Sequence, residues 1–259
     1  MSFTDTPWPD GTPCWVDLAV PDLQAARDFY GPVLGWDFAD TGEEYGHFTI
    51  CQVEGRAAAG IGPLVQEGQP SAWTLYFATA DVDATAKLAG DRGGSVIAGP
   101  MDIPGNGRMA VAVDPSGAVF GLWQAAGQIG AEVVNQPGGL VWEDGRVTDV
   151  EGAREFYTAL FGFTYAPVPG LPLEVYGTAE LDGRPVGGLG GMLEVPEGTP
   201  SHWLVYFGVE SVDAAVAAAT AGGGRVIGPA QDSPFGRMAT VADPFGAVFA
   251  LHQPPNPLW

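Results

Sequence analysis

The stretch at residues 107–124, GRMAVAVDPSGAVFGLWQ, returns at residues 236–253 as GRMATVADPFGAVFALHQ, with 12 of the 18 positions identical. The match extends upstream. Trp73, Tyr76 and Phe77 answer to Trp203, Tyr206 and Phe207; Ala26, Arg27, Phe29 and Tyr30 answer to Ala153, Arg154, Phe156 and Tyr157; and Gly55-Arg56 answers to Gly183-Arg184. The offset between copies drifts only from 127 to 130 residues. A repeat of that length is the size of a small domain. The 259 residues therefore hold a duplication: module 1 at 1–126, a linker at 127–137 and module 2 at 138–259.

Each module divides again. Residues 16–20 form a short β-like run. Asp22 then stands as N-cap of a helical pattern with Leu23, Ala26 and Phe29/Tyr30 on one face, which Gly31 to Gly35 closes. Runs at 47–53 and 57–64 flank the turn pair Glu54-Gly55. A second round starts with a strand at 73–79 and a helix from Asp81 to Gly93-Gly94. Strands at Val96-Ile97, 109–113 and 118–123 complete it, the last two joined by the turn Asp114-Pro115-Ser116-Gly117. The order is strand, helix, three strands, so the chain is read as α+β, with four βαβββ units in two tandem modules.

Composition narrows the partners. Apolar residues make up 46% of the chain, enough for a core, and 39 glycines and 23 prolines punctuate the runs as turns. The net charge of −21 repels nucleic acid and anionic membranes; it serves solubility, or attracts a cationic ligand. Cys14 and Cys51 lack counterparts in the other copy and form no CxxC motif, which suits free thiols in a reducing compartment. The N-terminus lacks signal-peptide features, and no apolar run approaches the ~20 residues of a membrane span. A cytoplasmic location is the expectation. No phosphate-binding loop, dinucleotide fingerprint or nucleophile elbow occurs.

Leu18-x-Val20-x-Asp22-Leu23 running into Phe29-Tyr30 and Leu34-Gly35-Trp36 carries a family resemblance. So do Val147-x-Asp149 running into Phe156-Tyr157 and Phe161-Gly162-Phe163, and the Asp-Pro-x-Gly turns at 114–117 and 243–246. Together they resemble the vicinal-oxygen-chelate superfamily, which includes glyoxalase I, bleomycin-resistance proteins and extradiol dioxygenases. The resemblance covers nearly the whole chain. It implies glyoxalase-like modules with mixed sheets curved around a cup that binds a metal or a small molecule. It also implies either a monomer with an internal pseudo-two-fold axis or a homodimer. Family enzymes place His, Gln or Glu ligands at four positions per module. Here those positions fall at Trp15, Gly60, Thr74 and Gly121, and at Trp142, Gly188, Leu204 and Ala250. None is a good ligand for a divalent cation, so no metal and no cofactor is expected.

Strand side chains alternate faces. Trp15, Asp17, Thr74, Tyr76 and Trp123 should therefore line the first cup, and Trp142, Asp144, His202, Tyr206 and His252 the second. The aromatics either fill the cups or stack on a flat or cationic ligand. Asp17 and Asp144, beside tryptophan in an apolar cup, should have raised pKa values and could act as general base or counter-ion; equally, each could bond to an arginine or a backbone N–H. His202 and Tyr206 are further acid–base candidates. His202 and His252 should lie ~13 Å apart along neighbouring strands, too far to share a metal. Arg108 and Arg237, in the repeated Gly-Arg-Met, should pair with carboxylates or reach an anionic ligand.

The reading that follows is a metal-free small-molecule-binding protein of bleomycin-resistance type, holding an aromatic or cationic ligand. The alternatives are a metal-independent enzyme (lyase, isomerase or hydroxylase-like) using Asp, His and Tyr, and then a metal-dependent glyoxalase or dioxygenase. Whether the chain is an enzyme stays open at this level, as does which cup is used.

Overall fold

A computed structural model describes residues 3–66, 68–193 and 195–255. The first unit comprises β1 (Pro13–Val20), α1 (Leu23–Leu34), β2 (Asp37–Asp40), β3 (Thr49–Val53) and β4 (Arg56–Pro63). The second comprises β5 (Trp73–Ala78), α2 (Val82–Asp91), β6 (Ser95–Ile103), β7 (Gly107–Val113) and β8 (Val119–Ala125). Module 2 repeats both. Its third unit is β9 (Leu140–Arg146), α3 (Val150–Phe161), β10 (Thr164–Pro167), β11 (Tyr176–Leu181) and β12 (Arg184–Gly190). Its fourth is β13 (His202–Gly208), α4 (Val212–Ala221), β14 (Arg225–Ser233), β15 (Gly236–Ala242) and β16 (Val248–Gln253). The fold is α+β, with four βαβββ units in two tandem glyoxalase-like modules.

Local chemistry fixes the helix starts. Asp22, Asp81 and Asp149 each accept a hydrogen bond at 3.0 Å from the backbone N–H three residues on, and Ser211 does the same for α4 at 3.2 Å. Gly35 and Gly162 end α1 and α3 in the left-handed conformation. Two strand features escape sequence patterning. The four-residue β2 and β10 offer too few alternations to register. Strands β6 and β14 extend to nine residues although most of their side chains are exposed, because they are sheet edges held by β7 and β15 alone.

Each module forms one eight-stranded mixed sheet, ordered β2-β3-β4-β1-β5-β8-β7-β6 and β10-β11-β12-β9-β13-β16-β15-β14. At each centre the first strands of the two units run antiparallel, β1 with β5 and β9 with β13; each also lies parallel to the last strand of its own unit. One face of each sheet packs on the helices. The other forms the cup.

The two modules share one core, in which aromatic residues cross the seam. Phe77 packs on Trp203 and Tyr157, and Trp36 and Trp73 pack on Phe207. Tyr30 of α1 donates to Asp243 in the Asp-Pro-Phe-Gly turn of module 2 at 3.0 Å; Tyr157 of α3 donates to Asp114 in the matching turn of module 1 at 3.1 Å. Trp73 and Trp203 donate to those same phenol oxygens. The repeated motifs therefore meet each other across an internal pseudo-two-fold axis. Among the described residues, no helix is long and apolar enough to cross a membrane.

Candidate functional site

Register places the eight family ligand positions. Asp17 lies opposite Gly60 on one side and Thr74 on the other, and Tyr76 lies between Trp15 and Gly121. In module 2, Asp144 lies between Gly188 and Leu204, and Tyr206 between Trp142 and Ala250. The positions are thus brought together on the cup face, but without ligands. Three of them are glycines whose missing side chains make room for rings. A Cβ at Gly60 would stand 2.2 Å from the Phe48 ring, and one at Gly121 would stand 2.0 Å from the Tyr76 ring. At Gly188 it would stand 1.9 Å from the Tyr176 oxygen and 2.4 Å from Asp144. The space a ligand side chain would cross is filled by protein, so these residues do not fit a metal. Among the described residues, no three His, Cys, Asp or Glu side chains gather to hold one elsewhere.

The first cup is packed. Trp15, Tyr76 and Trp123 are buried there, with Phe48, Ile50, Ile103 and Met109 packed against them. Linker residues lie over this cluster: Trp123 Nε1 donates to the Gln128 carbonyl at 2.9 Å, Trp8 Nε1 donates to the Ala131 carbonyl at 3.1 Å, and the Ala131 N–H bonds back to the Cys14 carbonyl. Asp17 accepts one side-chain hydrogen bond, from Tyr76 at 2.9 Å. Burial drives its carboxyl up to about 7, against the lowering effect of that bond. Thr74 sits beside it, partly buried.

The second cup is open. A cleft of about 690 Å³, within the range of small-molecule sites, is lined by Leu193, Leu204, Met238 and Ala250, with Arg146, His202, Tyr206, Gln231 and Thr240 as polar groups. Ser71, Ala72 and Trp73 of module 1 border it, and Arg225 is also part of its lining. Below the lining lies Asp144, only 4% exposed. One of its oxygens accepts from Trp142 Nε1 at 2.9 Å and Tyr176 at 2.6 Å, the other from Tyr206 at 2.8 Å and Arg146 at 2.8 Å. Four donors saturate a carboxylate's acceptor sites, so Asp144 has no lone pair free to take a proton from a ligand. It anchors the groups that line the cleft. Burial opposes the charge on Arg146, but Asp144 and the phenol of Tyr206 outweigh it and hold the guanidinium more firmly protonated than usual. Burial, and then the Asp144 charge, keep the Tyr206 and Tyr176 phenols protonated well above their ordinary range.

His202 lines the cleft with Nδ1 2.8 Å from the Pro200 carbonyl. A carbonyl only accepts, so Nδ1 carries the proton. Burial and the Arg146 charge lower its pKa against the pull of that carbonyl, which favours a neutral ring with Nε2 as acceptor. His252 is turned away. Its Nε2 lies 2.8 Å from the Phe235 carbonyl, and it is not part of the cleft lining. Tyr206, not Leu204, is level with Ala250, so His202 and His252 stand six residues apart along adjacent strands, ~20 Å. That exceeds the ~13 Å expected from taking Leu204 and Ala250 as level. Trp142, bonded to Asp144, also lies outside the lining. Arg108 and Arg237 are held by acidic partners, Asp83 and Asp102 for the first and Asp213 and Asp232 for the second.

Sequence reasoning missed Arg146 and Tyr176. Both are positions at which the two copies differ, and that difference is the signal that could have found them. Arg146 stands where module 1 has Ala19, on the same strand face as Trp142 and Asp144, and Tyr176 stands where module 1 has Phe48. Arg146 fills a position that carries no recurring motif, and Tyr176 and its counterpart Phe48 lie outside the matched stretches of the two copies.

The Glyoxalase/Bleomycin resistance protein/Dioxygenase superfamily profile matches residues 14–122 and again 139–251. A protein of Mycobacterium tuberculosis named CFP32, provisionally described as a glyoxylase, is 38% identical over 251 residues, covering 94% of this chain and 95% of its own. The anthracycline biosynthesis protein DnrV of Streptomyces peucetius is 37% identical over 258 residues, covering 93% and 92%. In shape, the chain is similar to the Mn(II)-bound glyoxalase from Novosphingobium aromaticivorans (TM-score 0.63, 16% identity, 94% of this chain and 82% of that one). It is equally similar to the 2,3-dioxygenase LapB from Pseudomonas sp. KL28 (TM-score 0.63, 15% identity, 96% of each).

Proposed function

We propose that this chain, which belongs to the glyoxalase/bleomycin resistance/dioxygenase superfamily, is a small-molecule-binding protein whose second cup takes the ligand while its first cup serves as structure. The observation that carries this reading is the asymmetry of a duplicated pair. The same scaffold is packed with its own tryptophans and tyrosine in one copy and left as a cleft of about 690 Å³ in the other. Trp123, which helps fill the first cup, is replaced by His252, and Phe48 is replaced by Tyr176, which is drawn down onto Asp144. The apolar walls with a few convergent polar groups suit a flat, largely apolar molecule. A relative named for anthracycline biosynthesis supports including fused-ring aromatics among the ligands tried. A cation is a poor match, because Asp144 is saturated and the cleft presents arginines.

The test is a tryptophan-fluorescence and thermal-shift titration with fused-ring aromatic compounds, on the wild type and on Leu204→Trp and Thr240→Trp, which fill the second cup. Saturable binding of one molecule per chain, lost in both folded variants, is expected. Binding that survives both, or two molecules per chain, would place the ligand elsewhere.

A further inference from the structure

The inference concerns ligand charge, and it rests on the reading of the second cup as the ligand site. We propose that the ligand carries an acidic oxygen, as a carboxylate or an ionised enol or phenol, and that Arg146 receives it. The chain has 31 acidic and 10 basic residues. Yet the described residues lining the cleft include Arg146 and Arg225 and neither an aspartate nor a glutamate. Among the described residues, a lining with two guanidinium groups and no carboxylate runs against the composition of a molecule of net charge −21 and calls for a cause.

The geometry supplies one. Arg146 Nη2 is engaged by Asp144 at 2.8 Å and by the Tyr206 oxygen at 3.3 Å. Nη1 makes only a 3.5 Å approach to the Leu193 carbonyl, and Nε is buried with no hydrogen-bond partner. The guanidinium is therefore fixed at Nη2 and keeps donor capacity on Nη1, which suits an acceptor oxygen of an oxyanion. Asp144 lies beneath the lining, so a molecule entering the cleft meets the guanidinium and not the carboxylate. Tyr206 donates to Asp144 and accepts from Arg146, which locks the guanidinium's orientation. Arg225, exposed and with no acidic partner among the described residues, adds positive field to the cleft. The arrangement belongs to the second cup alone, since module 1 has Ala19 at the position of Arg146.

The experiment uses three probes with one ring body: 2-naphthoate, 2-naphthamide and 2-naphthyltrimethylammonium. Their binding to the full chain is measured by calorimetry at low and high salt. The variants are the charge-balanced Asp144→Asn/Arg146→Met, Arg225→Gln, and Thr240→Trp as a blocked cup. The expected result is that 2-naphthoate binds the wild type about tenfold more tightly than the amide, as a charge-assisted pair would give. This advantage falls a few-fold in Arg225→Gln, weakens with salt and disappears in the double variant. Equal or tighter binding of the amide or the ammonium compound, blocked by Thr240→Trp, would overturn the charge inference and leave the cup reading standing. Retained naphthoate preference in a folded double variant would also overturn it. If no probe binds, or Thr240→Trp blocks none, the cup reading fails and the inference with it. Arg225→Gln, a surface change, keeps the test decisive if the double variant does not fold.

Discussion

Asp17 and Asp144 occupy the same position in two copies of one module and meet opposite fates. Asp144 has four donors, one of them a guanidinium; Asp17 has a single phenol in an apolar cluster. Burial therefore raises the Asp17 carboxyl to about 7, from about 4 in the unfolded chain. A raised folded-state value means the native state binds the proton more tightly. The stabilisation is complete below pH 4 and is lost as pH rises through 7. Asp17→Asn keeps the acceptor for Tyr76 without the charge. Its unfolding free energy should match the wild type near pH 4 and exceed it at pH 8 by on the order of 2 kcal/mol once the partial exposure of Asp17 is allowed for, with a correspondingly higher melting temperature there. Equal stability at both values, followed by thermal melts across that window, would show that Asp17 is not perturbed. The alternation rule was enough to find both aspartates. It did not distinguish them, because what differs is Arg146, two residues along the same strand where module 1 has Ala19, and the Tyr176 side chain brought in from β11.

At the scale of elements, the repeated Phe-Tyr pair and the Asp-Pro-x-Gly turn were legible as motifs, and their cross-module meeting was not. Tyr30 bonds to Asp243 and Tyr157 to Asp114, positions more than forty residues distant in one case and more than two hundred in the other. Burial, reinforced by those aspartates, holds both phenols well above their ordinary range, so they stay protonated as donors. Tyr30→Phe and Tyr157→Phe should each cost about 1–3 kcal/mol, since each leaves a buried carboxylate oxygen short of a donor and strips the indole N–H of its acceptor. Chemical denaturation of both variants checks this, and similar losses would reflect the pseudo-symmetry. Strands β2 and β10 were missed for a different reason. Four residues that pair only with one neighbour at a sheet edge carry no periodicity to detect.

At the scale of the molecule, one core joins the modules, so neither is expected to stand alone. Separating them would expose Phe77, Trp36, Trp73, Phe207 and Trp203 together, and a small domain stripped of such aromatic surface does not offset its ordering entropy. The full chain should unfold in one cooperative transition, and fragments 1–137 and 138–259 should each be unfolded or self-associated until mixed. Circular dichroism and size-exclusion chromatography read this directly. Two stable, independent fragments would contradict it. The sequence by itself determined the duplication, the four βαβββ units and the Asp22 cap of the first helix, and through the family resemblance the absence of ligating residues at the family's metal positions. These follow from residue identity and short-range periodicity, which survive without coordinates. Only the tertiary structure decided that one cup is packed and the other open, and that Arg146 and Tyr176 close on Asp144. Whether a cup is filled depends on the volumes and directions of side chains brought in from strands far apart in the chain, and a one-dimensional pattern does not encode that sum.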